Sequence, residues 1–269
     1  MTDAKVIAHS ITDQDCELVT FQVRFPYIIL NQVRTYGMLS YSVRSMRAVP
    51  TAKLIQEVES NPFIPKRWNE RVKGMVAGAE LSEMEQGAAR DIWLRARNEA
   101  VNAARSLDTL RAAKEHVNRL LTPFCWAYAV ITGTMDELNW MISQRTADDA
   151  QPEFQELAWE MREAWNESTP NEKQNGDWHL PYVDSNRDFE DEPNSYTLRM
   201  MSAARCARVS YFPFDSNKAS QADDLRIAGN LLSDRPHLSP FEHQAMATNV
   251  RRHYGKLFGW LPNRLLMGY

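Results

Sequence analysis

The stretch from Gln32 to Pro50 concentrates groups that hold phosphate. Arg34, Arg44 and Arg47 offer planar forks of donors, and Ser40, Ser42 and Ser45 add hydroxyls. An arginine fork matches phosphate geometry better than any other side chain. The same composition suits a basic solvated loop, and spacing alone leaves both readings open. Arg119 and Arg145 are open in the same way, each reading either as a solvated helix charge or as a cation aimed at a ligand. His237 and His243 flank Ser239-Pro240-Phe241-Glu242. That order predicts a capped helix start, with Ser239 as N-cap, Pro240 first and Glu242 third. Helix N-termini bind anions, and an imidazole of reference pKa near ~6.5 can relay a proton. Cys206 lies on an Ala-rich stretch and reads as core rather than as a nucleophile.

These residues fall into a larger pattern. Gln32, followed by Ser45-Met46-Arg47, resembles the signature of the flavin-dependent thymidylate synthases, the ThyX family. That signature is a Gln, then Arg-His-Arg, then Ser-x-Arg. Here Thr35-Tyr36-Gly37 stands where the triplet would be. Further blocks extend the likeness: Val117 to Pro123 around Arg119, Arg145 with Gln151, Ala204 to Tyr211, and His237 to His243. They cover most of the chain in one cyclic order. The last two blocks come first in the common family layout, so the order is that of a circular permutation, as in phage-type members. Such a permutation requires ancestral termini that lie close together.

The resemblance implies an α+β fold, with helices packed on a mixed sheet, in a single domain spanning residues 1–269. It implies a homotetramer with sites between subunits. It assigns Gln32, Ser45, Met46, Arg47, Arg119, Arg145 and Gln151 to a nucleotide, dUMP or dCMP. Arg145 would polarise the pyrimidine ring, where a cation favours charge that builds on a carbonyl. Asp149 stands where some members have a His. Ser210, His237, Ser239 and His243 fall on the flavin side, and His237 and Tyr36 join Arg145 as catalytic candidates. Tyr36 replaces the flavin-gripping His. It is either drift or a ring that stacks on another ligand, as is Tyr41, where phage-type members often carry Arg. Losing the triplet removes charge-assisted contacts of roughly 1.5–3 kcal/mol each. FAD binding is therefore weakened or lost, and NADPH matters only if FAD is used.

The implied reaction is one-carbon transfer from methylenetetrahydrofolate to C5 of dUMP, giving a methyl group. Two alternatives stay open. A flavin-independent dUMP or dCMP 5-hydroxymethylase would serve DNA modification. A paralogue would keep the nucleotide pocket without turnover.

The elements that must position these groups follow from periodicity. Val19, Phe21, Val23 and Phe25 alternate with polar residues, which predicts a strand. Pro26 starts a helix over 27–36 that Gly37 ends, and the Ser/Arg stretch reads as loop. Helices are predicted at 51–60, from a capping box at Ser82 and Glu85 to about Leu121 with a break near 106–108, and at 152–166. Residues 125–134 read as a buried strand. Residues 168–194 are poor in apolar pattern and read as the linker joining ancestral termini. Helices follow at 195–209 and 220–232.

Composition bounds the rest. The chain has 269 residues, 43% hydrophobic and 25% charged, in the range of soluble globular proteins. A net charge of −4 argues against a general polyanion binder, so no nucleic-acid partner is expected and any phosphate site is local. No run approaches the roughly 18 apolar residues of a membrane span. The first residues lack the pattern of a secretory leader, and cytoplasmic residence is the expectation. Cys16, Cys125 and Cys206 are odd in number and widely spaced, which suits free thiols and no zinc site.

Overall fold

The computed structural model describes residues 1–74, 76–184, 188, 194–210 and 220–268, with only the backbone of Ser210. The alternating residues form β2 (Glu17–Pro26), which pairs antiparallel with β1 (Asp3–Thr12). Val19, Phe21, Val23 and Phe25 are fully buried. They pack on α5 (Met135–Arg145) and α6 (Pro152–Asn166) through Leu138, Met141, Phe154, Leu157 and Met161. The apolar run after Cys125 is β4 (Trp126–Thr134), paired antiparallel with β2. The mixed sheet has the order β3-β4-β2-β1-β5. The architecture is α+β, as the resemblance implies.

Two strands of this sheet lie where loop was predicted. β3 is Ser40–Val43, paired with β4 through Ser42↔Val130 and Ser40↔Thr132. Serine has little strand preference of its own, so the polar alternation hid the strand. β5 (Asn171–Lys173) runs parallel to β1 inside the predicted linker. Its side chains are largely exposed, so backbone bonding alone places it at the sheet edge. The linker region also carries β6 (Trp178–His179), paired with β7 (Ala245–Ala247). Residues 185–187 and 189–193 of that region lie outside the described residues.

The helix predicted at 27–36 is shorter. A 3-10 turn at Tyr27–Ile29 leads into α1 (Leu30–Val33). α2 is Thr51–Ser60, with the predicted bounds. α3 (Glu83–Thr109) begins with the predicted capping box, where Ser82 and Glu85 satisfy each other's backbone N–H groups. It stops at the predicted break, and Arg111 turns the chain with φ 58. α4 (Lys114–Val117) and a 3-10 segment (Asn118–Phe124) then carry Asn118 and Arg119 back toward β3. Met46, Leu54, Val58, Val117 and Leu121 form a second apolar cluster there. The later helices are α7 (Ser195–Ala207) and α8 (Gln221–Leu231). Among the described residues, no helix is long and apolar enough to cross a membrane, and no group of three or more His, Cys, Asp or Glu is placed to hold a metal.

Candidate functional site

The chain leaves β3 through Val43 to Arg47, and five internal hydrogen bonds fix its path. The Arg44 N–H donates to the Tyr128 carbonyl at 2.8 Å. The Arg44 guanidinium forms two bonds with the Glu57 carboxylate, at 3.1 and 2.9 Å, and lies over the Tyr128 ring. Asn118 Nδ2 donates to the carbonyls of Met46 and Val49, at 2.7 and 3.0 Å. Met46 itself packs into the second apolar cluster. Ser45 and Arg47, between these anchors, face outward.

A cavity of ≈ 220 Å³ opens at this point. Arg34, Arg44, Ser45, Arg47 and Arg119 line it, with Tyr27 and Leu30 as its apolar floor. Arg47 reaches Glu115 at 3.0 Å but keeps 75% of its side chain exposed. Arg34 and Arg119 are exposed as well. Three solvent-facing guanidiniums and a hydroxyl around one small cavity can clamp a tetrahedral dianion.

Gln32, Gln151, Arg145 and Tyr36 form a second cluster. Gln32 Nε2 donates to Gln151 Oε1 at 2.6 Å, and Gln151 Nε2 donates to Glu153 at 2.9 Å. Arg145 Nε donates to the Tyr36 hydroxyl at 2.6 Å. Tyr36 is only 6% exposed, with its ring edge-on to Trp140 and Phe154. A ring so covered orients Arg145 and has no face for a ligand in this conformation. Tyr41 likewise turns its hydroxyl to the Val33 and Tyr36 carbonyls, and burial raises its pKa well above the usual phenol range. A Cβ at Gly37 would meet nothing within 4 Å, so that position is open space.

The Pro-Phe-Glu block differs from its predicted form. Ser239–Glu242 is one 3-10 turn, and its N-cap position is Leu238 with no side-chain bond. The chain must reach β7 at Ala245, which leaves no length for an α-helix. Ser239 and His237 are exposed. The His237 N–H donates to the Leu231 carbonyl at 2.8 Å. Burial opposes ionisation of Glu242, but Lys256 and Arg264 outweigh it and hold its carboxyl below the usual range. His243 is fully buried between Thr132 and Ser42, and burial pushes its pKa down to about 3. The Ser210 side chain and Tyr211 lie outside the described residues. Cys206 is fully buried, burial raises its thiol pKa far above the usual range, and it sits in a small apolar cluster with Val130.

Sequence reasoning did not find Glu57, Glu115 and Asn118, which set the cavity's shape and charge. Nor is His179 marked by any local signal, because its partners, Ser10 and Thr20, come from strands far away in sequence.

Comparison with known proteins follows the same lines. A family model described as thymidylate synthase complementing protein matches residues 15–171. No curated protein matches the chain. Among solved structures, the chain is similar to a UMP/dUMP methylase, PolB, from Streptomyces cacaoi bound with 5-Br UMP. The TM-score is 0.52 at 15% identity, over 61% of this chain and 88% of that one. The same methylase bound with 5-Br dUMP gives a TM-score of 0.46 at 16% identity, over 61% of this chain and 90% of that one.

Proposed function

The chain belongs to the thymidylate synthase complementing protein family, and from that premise we propose that it transfers a one-carbon unit from methylenetetrahydrofolate to C5 of a pyrimidine nucleotide 5′-monophosphate. dUMP is the first substrate to test. The observation that carries this reading is the convergence of Arg34, Ser45, Arg47 and Arg119 on one ≈ 220 Å³ cavity. That cavity takes the 5′-phosphate. Gln32 and Gln151 hold the base, and Arg145 stabilises negative charge on the ring carbonyl as C5 attacks. Tyr36 positions Arg145 through the 2.6 Å bond. Within one chain the phosphate cavity and the Gln32/Arg145 cluster are separate groups of contacts. A homotetramer with sites between subunits joins one protomer's cavity to another's cluster. In this reading the block order is a circular permutation, with 168–194 bridging the ancestral ends.

C5 of the pyrimidine forms a bond to the donor's methylene carbon and loses its proton. Tetrahydrofolate then leaves, and an exocyclic methylene remains on the ring. A hydride at that carbon, which a reduced flavin or nicotinamide would have to supply, gives the methyl product, as thymidylate synthesis requires. Water at that carbon, with loss of a proton, gives a 5-hydroxymethyl group instead, a net gain of CH2O.

One observation favours the second outcome. The residues that a flavin would need do not fit it. Tyr36 is buried on Arg145, Gly37 offers no side chain, and His243 has both ring nitrogens bonded inside the core. Among the described side chains of that set, His237 and Ser239 face solvent.

The experiment is mass spectrometry of dUMP, UMP and dCMP, each incubated with protein and methylenetetrahydrofolate, with and without FAD and NADPH. A product heavier by CH2 that needs FAD supports the thymidylate reaction. A product heavier by CH2O without FAD supports hydroxymethylation. No product from any nucleotide overturns both and leaves a nucleotide-binding paralogue.

A further inference from the structure

Six side chains form one hydrogen-bonded chain through the sheet. Ser10 Oγ lies 2.9 Å from His179 Nδ1, and His179 Nε2 lies 2.8 Å from Thr20 Oγ1. Thr20 Oγ1 is 2.7 Å from Thr132 Oγ1, which is 2.8 Å from His243 Nδ1. His243 Nε2 ends the chain 2.9 Å from Ser42 Oγ. Ser10 and Ser42, at the ends, are 3% and 5% exposed, and the four groups between them are 0% exposed. The chain crosses β1, β2, β4 and β3 and draws in β6 and the Ser239–Glu242 turn.

Burial pushes the pKa of each imidazole down to about 3, so each is neutral, with one N–H donor and one bare acceptor nitrogen. Each hydroxyl has a single hydrogen to give. If His179 is protonated on Nδ1, its Nε2 must accept from Thr20. Thr20 must then accept from Thr132, and Thr132 from His243 Nδ1. If instead His243 is protonated on Nε2, the same logic runs the other way and puts the His179 proton on Nε2. Two mixed combinations remain. Nδ1–H on His179 with Nε2–H on His243 sends both threonine hydrogens outward and leaves the two oxygens 2.7 Å apart with no hydrogen between them. Nε2–H on His179 with Nδ1–H on His243 strands a threonine hydrogen in the middle of the chain without an acceptor. An orphaned donor there is costly. The shared states move the spare hydrogen to a terminal serine.

We propose that His179 and His243 always share one tautomer, and that together they are positioning residues that hold β3, through Ser42, beneath the Arg44–Arg47 run. The tautomer claim stands on this geometry alone. The positioning claim also rests on reading that run as a nucleotide cradle.

The test uses the full chain with 15N-labelled histidine, reading each tautomer from two-bond 15N–1H correlations. Ser10→Ala leaves His179 Nδ1 facing a methyl group. A bare acceptor costs less than a bare N–H, so both imidazoles become Nε2–H. Ser42→Ala does the reverse and makes both Nδ1–H. In each case the far imidazole keeps its own direct contacts and changes only through the chain. If His179 holds the same tautomer in both variants, or the two imidazoles differ in either, the coupling is overturned. Positioning is read from dUMP turnover. His243→Phe raises KM about tenfold with kcat kept, and His243→Gln, which can still bond Ser42, restores most of it. An unchanged KM in a folded His243→Phe protein overturns that role. A protein that keeps the shared tautomer but binds no dUMP overturns the cradle reading and leaves the coupling intact.

Discussion

Arg205 and Arg47 carry the same guanidinium into opposite surroundings. Arg205, on α7, is 1% exposed, and its fork is filled. Two bonds of 2.6 and 2.8 Å reach Asp188, a third of 2.8 Å reaches Asp224, and a fourth goes to the Tyr182 carbonyl. Arg208 adds a second cation on Asp224 at 2.8 Å. Burial works against the Arg205 charge, but the two carboxylates outweigh it and hold its pKa above the usual value. Arg47 has one partner, Glu115, and is otherwise open to the cavity that Arg34 and Arg119 share. The two arginines differ in whether carboxylates of the same chain already fill the fork. Arg205 fixes α7 against α8; Arg47 keeps most of its donors open, which is what the proposed phosphate-binding role needs.

The largest effect separates these two uses. Arg205→Met leaves two buried aspartates short of their shared cation and should cost about 3–5 kcal/mol. The urea midpoint measures this, and a loss below about 1 kcal/mol would show that the cluster is not structural. Phosphate binding by the protein that remains folded should be unchanged.

Acid should break a second filled network, the buried His179–His243 chain. His179 and His243 titrate near 3 in the folded chain and near ~6.5 unfolded. The unfolded chain therefore binds more protons between those values. Stability is full above about pH 6.5 and falls as pH drops toward 3. From pH 7 to pH 5 the loss should be about 2 kcal/mol per imidazole. A flat urea midpoint over that range would contradict the neutral relay.

The open half responds in binding rather than stability. Arg47→Ala should weaken dUMP about tenfold, or ~1.4 kcal/mol, while the melting midpoint stays put, because the side chain is exposed. Titration calorimetry against dUMP and deoxyuridine separates the phosphate's share. A loss for both ligands alike would place Arg47 away from the phosphate. The smallest change sharpens the contrast. Glu115→Gln frees Arg47 from its one carboxylate and should tighten dUMP two- to threefold, within the ~0–1 kcal/mol of exposed ion pairs. Weaker binding would mean that Glu115 holds Arg47 in place rather than competing for it.

Much of the fold was legible because its signals are local. The apolar spacing of Phe154, Leu157 and Met161 marks α6, and Ser82 with Glu85 marks the start of α3. β4 shows as an aromatic and β-branched run. β3 was hidden because its inward residues are Ser40 and Ser42, and Ser42 answers to the buried His243 rather than to an apolar core. β5 was hidden because Asn171–Lys173 joins the sheet by its backbone. In the site, Ser45, Met46, Arg47 and Arg119 stood out by type and resemblance, and the fold brings them round one cavity. That Gln32 meets Gln151 and Arg145 meets Tyr36 instead of the cavity depends on contacts 119 and 109 residues apart in sequence, which only the tertiary fold supplies. Tyr36 was left open between drift and a ring for a ligand, and what buries it, the edge-to-face contacts with Trp140 and Phe154, comes from neighbours that only the tertiary fold supplies.

The most direct test of the whole account is a crystal structure of the protein with dUMP. The 5′-phosphate is expected within hydrogen-bond distance of Arg34, Ser45, Arg47 and Arg119, in the cavity beside the Asn118 and Glu57 anchors. A phosphate bound elsewhere, with those four side chains facing only solvent, would contradict it.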